Sequence, residues 1–290
     1  MSLRSLASRL ITRLGISPQY SVDFTQAFFG DLERHQKFFF GDLSDEVLQL
    51  LFEKTASYWR TLASEPEEIY WSVITRPEFK KMLSDEDKLR FLMTGQHDVK
   101  LLRRVCTQLG VELASCNSYL EYGCGVGRTV FNLPPSIREI HCVDFSHAHL
   151  EEAKTNLRSR SSTSVYHYHL IDQFKDIKNL PGGHSFIHSL IVLQHNTPPI
   201  IEATISVLLS LLAPKGVAVL HVPIARGRYS FDPKVYLHST SAGQDLEMHI
   251  LPKANLYDLA LREKCSLVYS FCGGGCGGDI YSEYIVFQKS

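Results

Sequence analysis

Three glycines and two carboxylates are spaced to hold a nucleotide that carries a positive charge. Gly123, Gly125 and Gly127 follow at once on a short apolar, β-prone run at residues 118–122. Glycines let the backbone turn tightly and let a ligand approach it without meeting a Cβ. A segment able to start a helix comes next, and the free N–H groups of such a start face a ligand held at the turn. The pattern is G-x-G-x-G, with Arg128 where a dinucleotide fingerprint would place its third glycine. Glu121, at the end of the strand, suits a ligand with an ammonium group and would repel a pyrophosphate. About twenty residues on, a second apolar strand, Ile140-His-Cys-Val143, ends in Asp144, where an acid can accept both hydroxyls of a ribose.

These residues resemble a known family. Glu121-Tyr-Gly-Cys-Gly-Val-Gly127 followed by Val143-Asp144 is similar to motifs I and II of class I S-adenosylmethionine-dependent methyltransferases. Leu190-Ile-Val-Leu-Gln-His195 followed by Pro198-Pro199 resembles the strand-four motif of the same family. The resemblance implies S-adenosylmethionine as cofactor. Gly123 and Gly125 would pass under its methionine part, and Glu121 would hold its amino group. Asp144 would bind the ribose, Phe145 would lie on the adenine, Asp172 would meet the adenine amino group, and Leu190 would belong to the same wall. It also implies a Rossmann-like α/β fold, with a seven-stranded mostly parallel sheet, an antiparallel last strand and a helical N-terminal cap. Ser185 stands where the family has an acid before the fourth strand.

The whole chain is compatible with that fold. With 290 residues and 44% hydrophobic content it can bury a sizeable core. A net charge of −1 gives no basic field for a nucleic-acid backbone, and no nucleic-acid partner is expected. No apolar run reaches membrane-spanning length. The seven cysteines are read as reduced thiols of a cytoplasmic protein. Cys272 and Cys276 lack partners at zinc spacing, so no metal is expected.

Two domains are expected: a helical cap over residues 1–97 and a cofactor-binding domain over 98–290 with an insertion at 224–251. Residues 1–22 carry Arg4, Arg9 and Arg13 with Leu3, Leu6, Leu10 and Leu14 on one helical face. A membrane-surface contact of residues 1–16 or a transit peptide stays open, but packing on the body or on a second subunit of a homodimer is favoured. Ser44, Ser84 and Asp98 are placed to cap cap-region helices, with Gly95 ending one and Gly110 another. Tyr70, Trp71 and Gly95 precede the first core strand at a distance that lets the cap fold back. Trp71 and Gly95 are candidates for cofactor contact and Tyr70 for acceptor contact, while plain helix packing of the two aromatics stays equally open. Tyr-Trp-Ser-Val-Ile-Thr at 70–75 also resembles a bacterial branch of the family, some of whose members are associated with glycan or secondary metabolism. Downstream, Ser146 caps a helix, residues 217–222 form a central fifth strand, and 267–271 and 284–287 form a closing hairpin.

Methyl transfer from a sulfonium is an in-line displacement, so the protein mainly aligns the two reactants. A hydroxyl acceptor also needs a base, and histidine is the usual one near neutral pH. His249 in the insertion is the first candidate, ahead of His221 in the fifth strand and His195 after the fourth. Arg226, Arg228 and Tyr229 give the insertion a polar lining suited to a hydroxylated or anionic acceptor. The favoured function is methylation of a small-molecule or sugar-containing (glycan) acceptor at a hydroxyl. A non-catalytic relative that keeps the fold for binding, or a methyltransferase of proteins or nucleic acids, is the alternative.

Overall fold

The structure is a computed structural model, and it describes residues 37–38, 43–160, 162–227, 229–274, 276 and 280–290. The expectations for residues 1–22 and for Arg228 lie outside the described residues. Seven strands form one sheet: β1 (Ser118–Tyr122), β2 (Glu139–Asp144), β3 (Val165–Leu170), β4 (His184–Ser189), β5 (Leu212–Arg226), β6 (Cys265–Cys272) and β7 (Ile280–Lys289). Their order is β3-β2-β1-β4-β5-β7-β6. β3, β2, β1, β4 and β5 run parallel, and β7 is antiparallel to both β5 and β6. This is the expected mostly parallel sheet with an antiparallel last strand.

The strand sequences explain the order. β1, β4 and most of β5 are buried along their length, as both faces of a central parallel sheet must be. β3 lies at the edge and reads Val-Tyr-His-Tyr-His-Leu, half-buried throughout its middle. Alternation puts its tyrosines on one face and its histidines on the other. On one face of the sheet, Leu120, Val143, Ile187 and Leu220 pack against α1 (Asp45–Ser64) and α5 (Pro198–Ser210). On the other, Tyr119, Ile140, Phe186 and Val219 pack against α3 (Gln96–Gln108) and α4 (His147–Arg158).

The cap is fused to this core through α1, whose Leu51, Phe52 and Ala56 are fully buried with the sheet residues. Ser44, Ser84 and Ser146 cap α1, α2 (Asp85–Met93) and α4, each accepting a backbone N–H three residues on. α3 begins at Gln96, not after Asp98, which sits in its first turn. One larger correction concerns the glycine turn. No α-helix follows it; the chain makes a single 3₁₀ turn at Val130–Asn132. Pro134 and Pro135 supply no N–H to continue a helix, and Asn132 Nδ2 donates to the carbonyls of Arg128 and Leu92, tying the turn to the cap.

β5 runs past the expected residue 222 into the insertion. There Ser230–Phe231 pairs in parallel with Lys37–Phe38, and a short helix, α6 (Pro233–His238), follows. α7 (Lys253–Arg262) then leads into β6.

Candidate functional site

A cleft of about 460 Å³ opens at the carboxyl ends of β1, β2 and β4. Its floor is the glycine turn. Gly123 and Gly125 have φ of +76° and +51°, a left-handed conformation that a side chain strains. A Cβ on Gly123 would meet Val192 Cγ2 at 2.4 Å, and one on Gly125 would meet Val73 Cγ2 at 2.7 Å. The close approach that demands glycine at 125 is therefore made by the cap, not by ligand space.

Two carboxylates border this turn. Asp144, at the end of β2, accepts the Gly125 N–H at 2.9 Å on Oδ2 and the Ser146 N–H at 2.8 Å on Oδ1. His149 Nδ1 lies 3.5 Å from Oδ1, and His149 Nε2 is 2.9 Å from the Ser72 hydroxyl of the cap. Each carboxylate oxygen has a second lone pair for a ligand hydroxyl. Glu121 is 6% exposed, and its Oε2 is buried without a hydrogen-bond partner. Oε1 lies 3.3 Å from Nε2 of His188, whose Nδ1 is held by the Tyr119 hydroxyl at 2.7 Å. A buried carboxylate oxygen with no donor is costly. A ligand ammonium placed there would satisfy it, so these residues fit S-adenosylmethionine.

The walls come from distant parts of the chain. Phe145 lines one side, with Phe52 of α1 packed edge-on at 6.0 Å. Arg60 of α1 donates to the carbonyls of Phe145 (3.0 Å) and Asp172 (2.7 Å), stapling the ends of β2 and β3. Cap residues 72–76, together with Thr94, His97 and Asp98, close the cleft above the turn. Arg128 pairs with Asp98 there. On the far side stand Leu190, Gln194, His195 and Asn196, then Leu246 and Met248 of the insertion, with Trp59 of α1 against the His195 ring at 4.7 Å.

His195 is half-buried at this wall. Burial, opposed by a hydrogen bond to the Glu247 carbonyl, holds its pKa down at about 4, so the ring is neutral near pH 7. Its Nδ1 is 3.0 Å from that carbonyl, which fixes the proton on Nδ1 and leaves the lone pair on Nε2. The Gln194 amide nitrogen is 3.3 Å from Nε2, and the Cys276 thiol donates to the Gln194 oxygen, which sets the amide's orientation.

Of the residues singled out from sequence, the cleft gathers Glu121, Gly123, Gly125, Asp144, Phe145, Leu190 and His195. Others stand elsewhere. The Asp172 carboxylate is 71% exposed and pairs with Arg60 at 3.8 Å. Trp71 packs within the cap under Lys80, and Tyr70 is buried with its hydroxyl on Glu152 at 2.6 Å. A Cβ on Gly95 would strike the Arg128 carbonyl oxygen, so that position serves cap packing. Arg226 donates to the Met248 carbonyl, behind the lining. His249 has both nitrogens engaged by the protein, Nδ1 with the Tyr229 hydroxyl at 2.7 Å and Nε2 with Glu247 at 3.1 Å. His221 is fully buried against Ser282. Neither histidine lines the cleft, and neither ring has a nitrogen turned to an acceptor. Nothing local in the sequence marks Trp59 or His149, and Ser72 and Gln194 stand inside motifs that give them no role of their own.

Residues 120–218 match the family model of a methyltransferase domain. No curated protein matches the chain by sequence. Solved structures with the same fold include magnesium protoporphyrin IX methyltransferase from Synechocystis PCC 6803 with bound S-adenosylhomocysteine (16% identity, 85% of this chain and 99% of that one, TM-score 0.51). The N-methyltransferase NodS from Bradyrhizobium japonicum, also with S-adenosylhomocysteine, matches at 14% identity over 81% of this chain and 98% of that one, TM-score 0.52. The cyclopropane synthase MmaA2 from Mycobacterium tuberculosis matches at 11% identity over 82% and 98%, TM-score 0.55. At these identities the likeness is one of fold.

Proposed function

We propose that this chain, a class I S-adenosylmethionine-dependent methyltransferase, transfers the methyl group to a hydroxyl of a small, sugar-containing acceptor. The observation that carries the reading is His195, a neutral imidazole at the wall of a cleft already lined by Glu121, the glycine turn and Asp144.

When bound, S-adenosylmethionine supplies an electrophilic methyl group on a sulfonium. The buried Glu121 carboxylate takes the ammonium, and the free lone pairs of Asp144 take the ribose hydroxyls. Phe145 offers its ring to the adenine. Cap residues 72–76 and Trp59 keep water from the reacting atoms. The acceptor enters between the cap, the segment after β4 and the insertion, where Ser72, Thr75, His97 and Asn196 offer hydrogen bonds to hydroxyl groups.

As the acceptor oxygen bonded to the methyl group, the sulfur–methyl bond would break with its electron pair returning to sulfur, S-adenosylhomocysteine would leave, and the attacking hydroxyl would become strongly acidic. A base of low pKa then suffices, and His195 Nε2 receives the proton after giving up its contact with the Gln194 amide. The insertion serves through Leu246 and Met248, and its Tyr229–His249–Glu247 chain holds that segment against the body.

Mass spectrometry over a panel of hydroxylated acceptors, with His195→Ala alongside the parent chain, tests this. Turnover should fall by roughly 10²–10⁴-fold with little change in S-adenosylmethionine affinity. Undiminished turnover in His195→Ala would remove the base. Methylation of amines alone would replace the hydroxyl reading.

A further inference from the structure

A second cluster of chemically active side chains lies at the strand starts, away from the cleft. Edge strand β3 carries His167 and His169 on one face. Its neighbour β2 presents Glu139 and His141 on that same face, since residues two apart on a strand point the same way. The parallel register sets His141 beside His167. One ligand atom from each of Glu139, His141 and His167 lies within 4.8 Å of the others, and among the described residues no other such trio occurs.

The surroundings are arranged as an outer layer. His141 Nδ1 is 2.9 Å from His169 Nε2, and His141 Nε2 is 3.9 Å from Glu139 Oε2. With the proton on Nδ1 given to His169, the lone pair of Nε2 points toward Glu139. Ligating histidines commonly have their second nitrogen fixed in this way. His184 closes the floor, its ring 4.7 Å from His141, its nitrogens held by the Ser118 hydroxyl at 2.8 Å and the Pro181 carbonyl at 2.7 Å.

We propose that Glu139, His141 and His167 form a site for a divalent ion of the zinc class, clipping edge strand β3 to β2. Two imidazoles and one carboxylate suit zinc, cobalt or nickel, whereas calcium and magnesium prefer oxygen throughout. Metal–nitrogen bonds of about 2.0–2.1 Å require donors about 3.3 Å apart, so the trio must close by about 1.5 Å at most. Glu139 is 45% exposed and free to swing, and the same exposure gives the ion a way in. A fourth coordination position stays open to water.

The test uses the untagged full chain, stripped with a chelator. Zinc chloride is titrated by calorimetry and cobalt chloride by visible absorption. One tight equivalent is expected, with a rise in the unfolding temperature and ligand-field bands from cobalt. His167→Ala and Glu139→Gln should each weaken zinc binding at least 10–100-fold. His147→Ala should leave it unchanged, because that exposed histidine faces Glu151 on α4 outside the cluster. Circular dichroism establishes that each variant is folded, and Glu139→Gln keeps the side chain's shape. The absence of saturable binding, or equal affinity in both cluster variants and the parent, would overturn the site and leave a packed stack of imidazoles.

Discussion

Glu121 and Asp144 line the same cleft, yet they make opposite demands on a ligand. Glu121 holds an orphaned, buried oxygen and needs a cation; Asp144 is already held by two backbone N–H groups and needs only hydroxyls. Glu121→Gln should weaken S-adenosylmethionine more than an uncharged nucleoside such as adenosine. Asp144→Ala should cost on the order of 2–4 kcal/mol of binding for both. Calorimetry with the two ligands checks the pair, and equal losses in Glu121→Gln would place the ammonium elsewhere. The cleft residues that could be read from sequence all lie at strand ends, where a turn fixes the side chain within a few residues of the motif. Trp59 and Ser72 could not be read that way. They reach the cleft only because α1 and the cap fold back across the sheet. His249 misled for the converse reason: its place in a polar insertion suggested exposure, but Tyr229 and Glu247 take both of its nitrogens.

The element that most couples cap to cofactor cleft is α1. Its Arg60 holds the carbonyls of Phe145, Ile171 and Asp172 and pairs with Glu53, so one guanidinium fixes the ends of two strands. Arg60→Ala should lower stability by about 1–3 kcal/mol and weaken S-adenosylmethionine binding together. Arg60→Lys should not restore it, because a single ammonium cannot span that fork of carbonyls. Urea unfolding and calorimetry on both variants check this, and rescue by lysine would mean that charge alone matters. Most elements were legible from periodicity and caps. The helix after the glycine turn was not, since a local start signal was overruled by Pro134, Pro135 and the Asn132 contacts with the cap.

The whole molecule should answer acid through its buried histidines. Burial holds His141 near 3 and both His195 and His221 near 4, and it lowers His169 and His184 from their ordinary 6.5. The unfolded chain therefore binds protons before the folded one does. The stability these groups contribute is complete above pH 6.5 and is lost as pH falls toward 4 and 3, by up to about 1.4 kcal/mol per site per pH unit. Glu247 is different: burial would raise it, but hydrogen bonds from His249, Tyr236 and the Gly243 N–H hold it at about 2. Its contribution lasts down to pH 4.5 and is lost between there and 2. Urea unfolding at pH 7.5 and 5.0 should show a clear fall, and a flat profile would mean that these rings take protons while folded. The placement of β7 between β5 and β6 has a consequence for synthesis. β5 lies centrally, yet its neighbour on one side is built from residues 280–289, the last of the seven strands to leave the ribosome. Until they emerge, a long apolar strand has an open edge, the kind of surface that recruits other chains. A nascent chain interrupted before residue 280 is thus a substrate for chaperones, however complete its cofactor cleft.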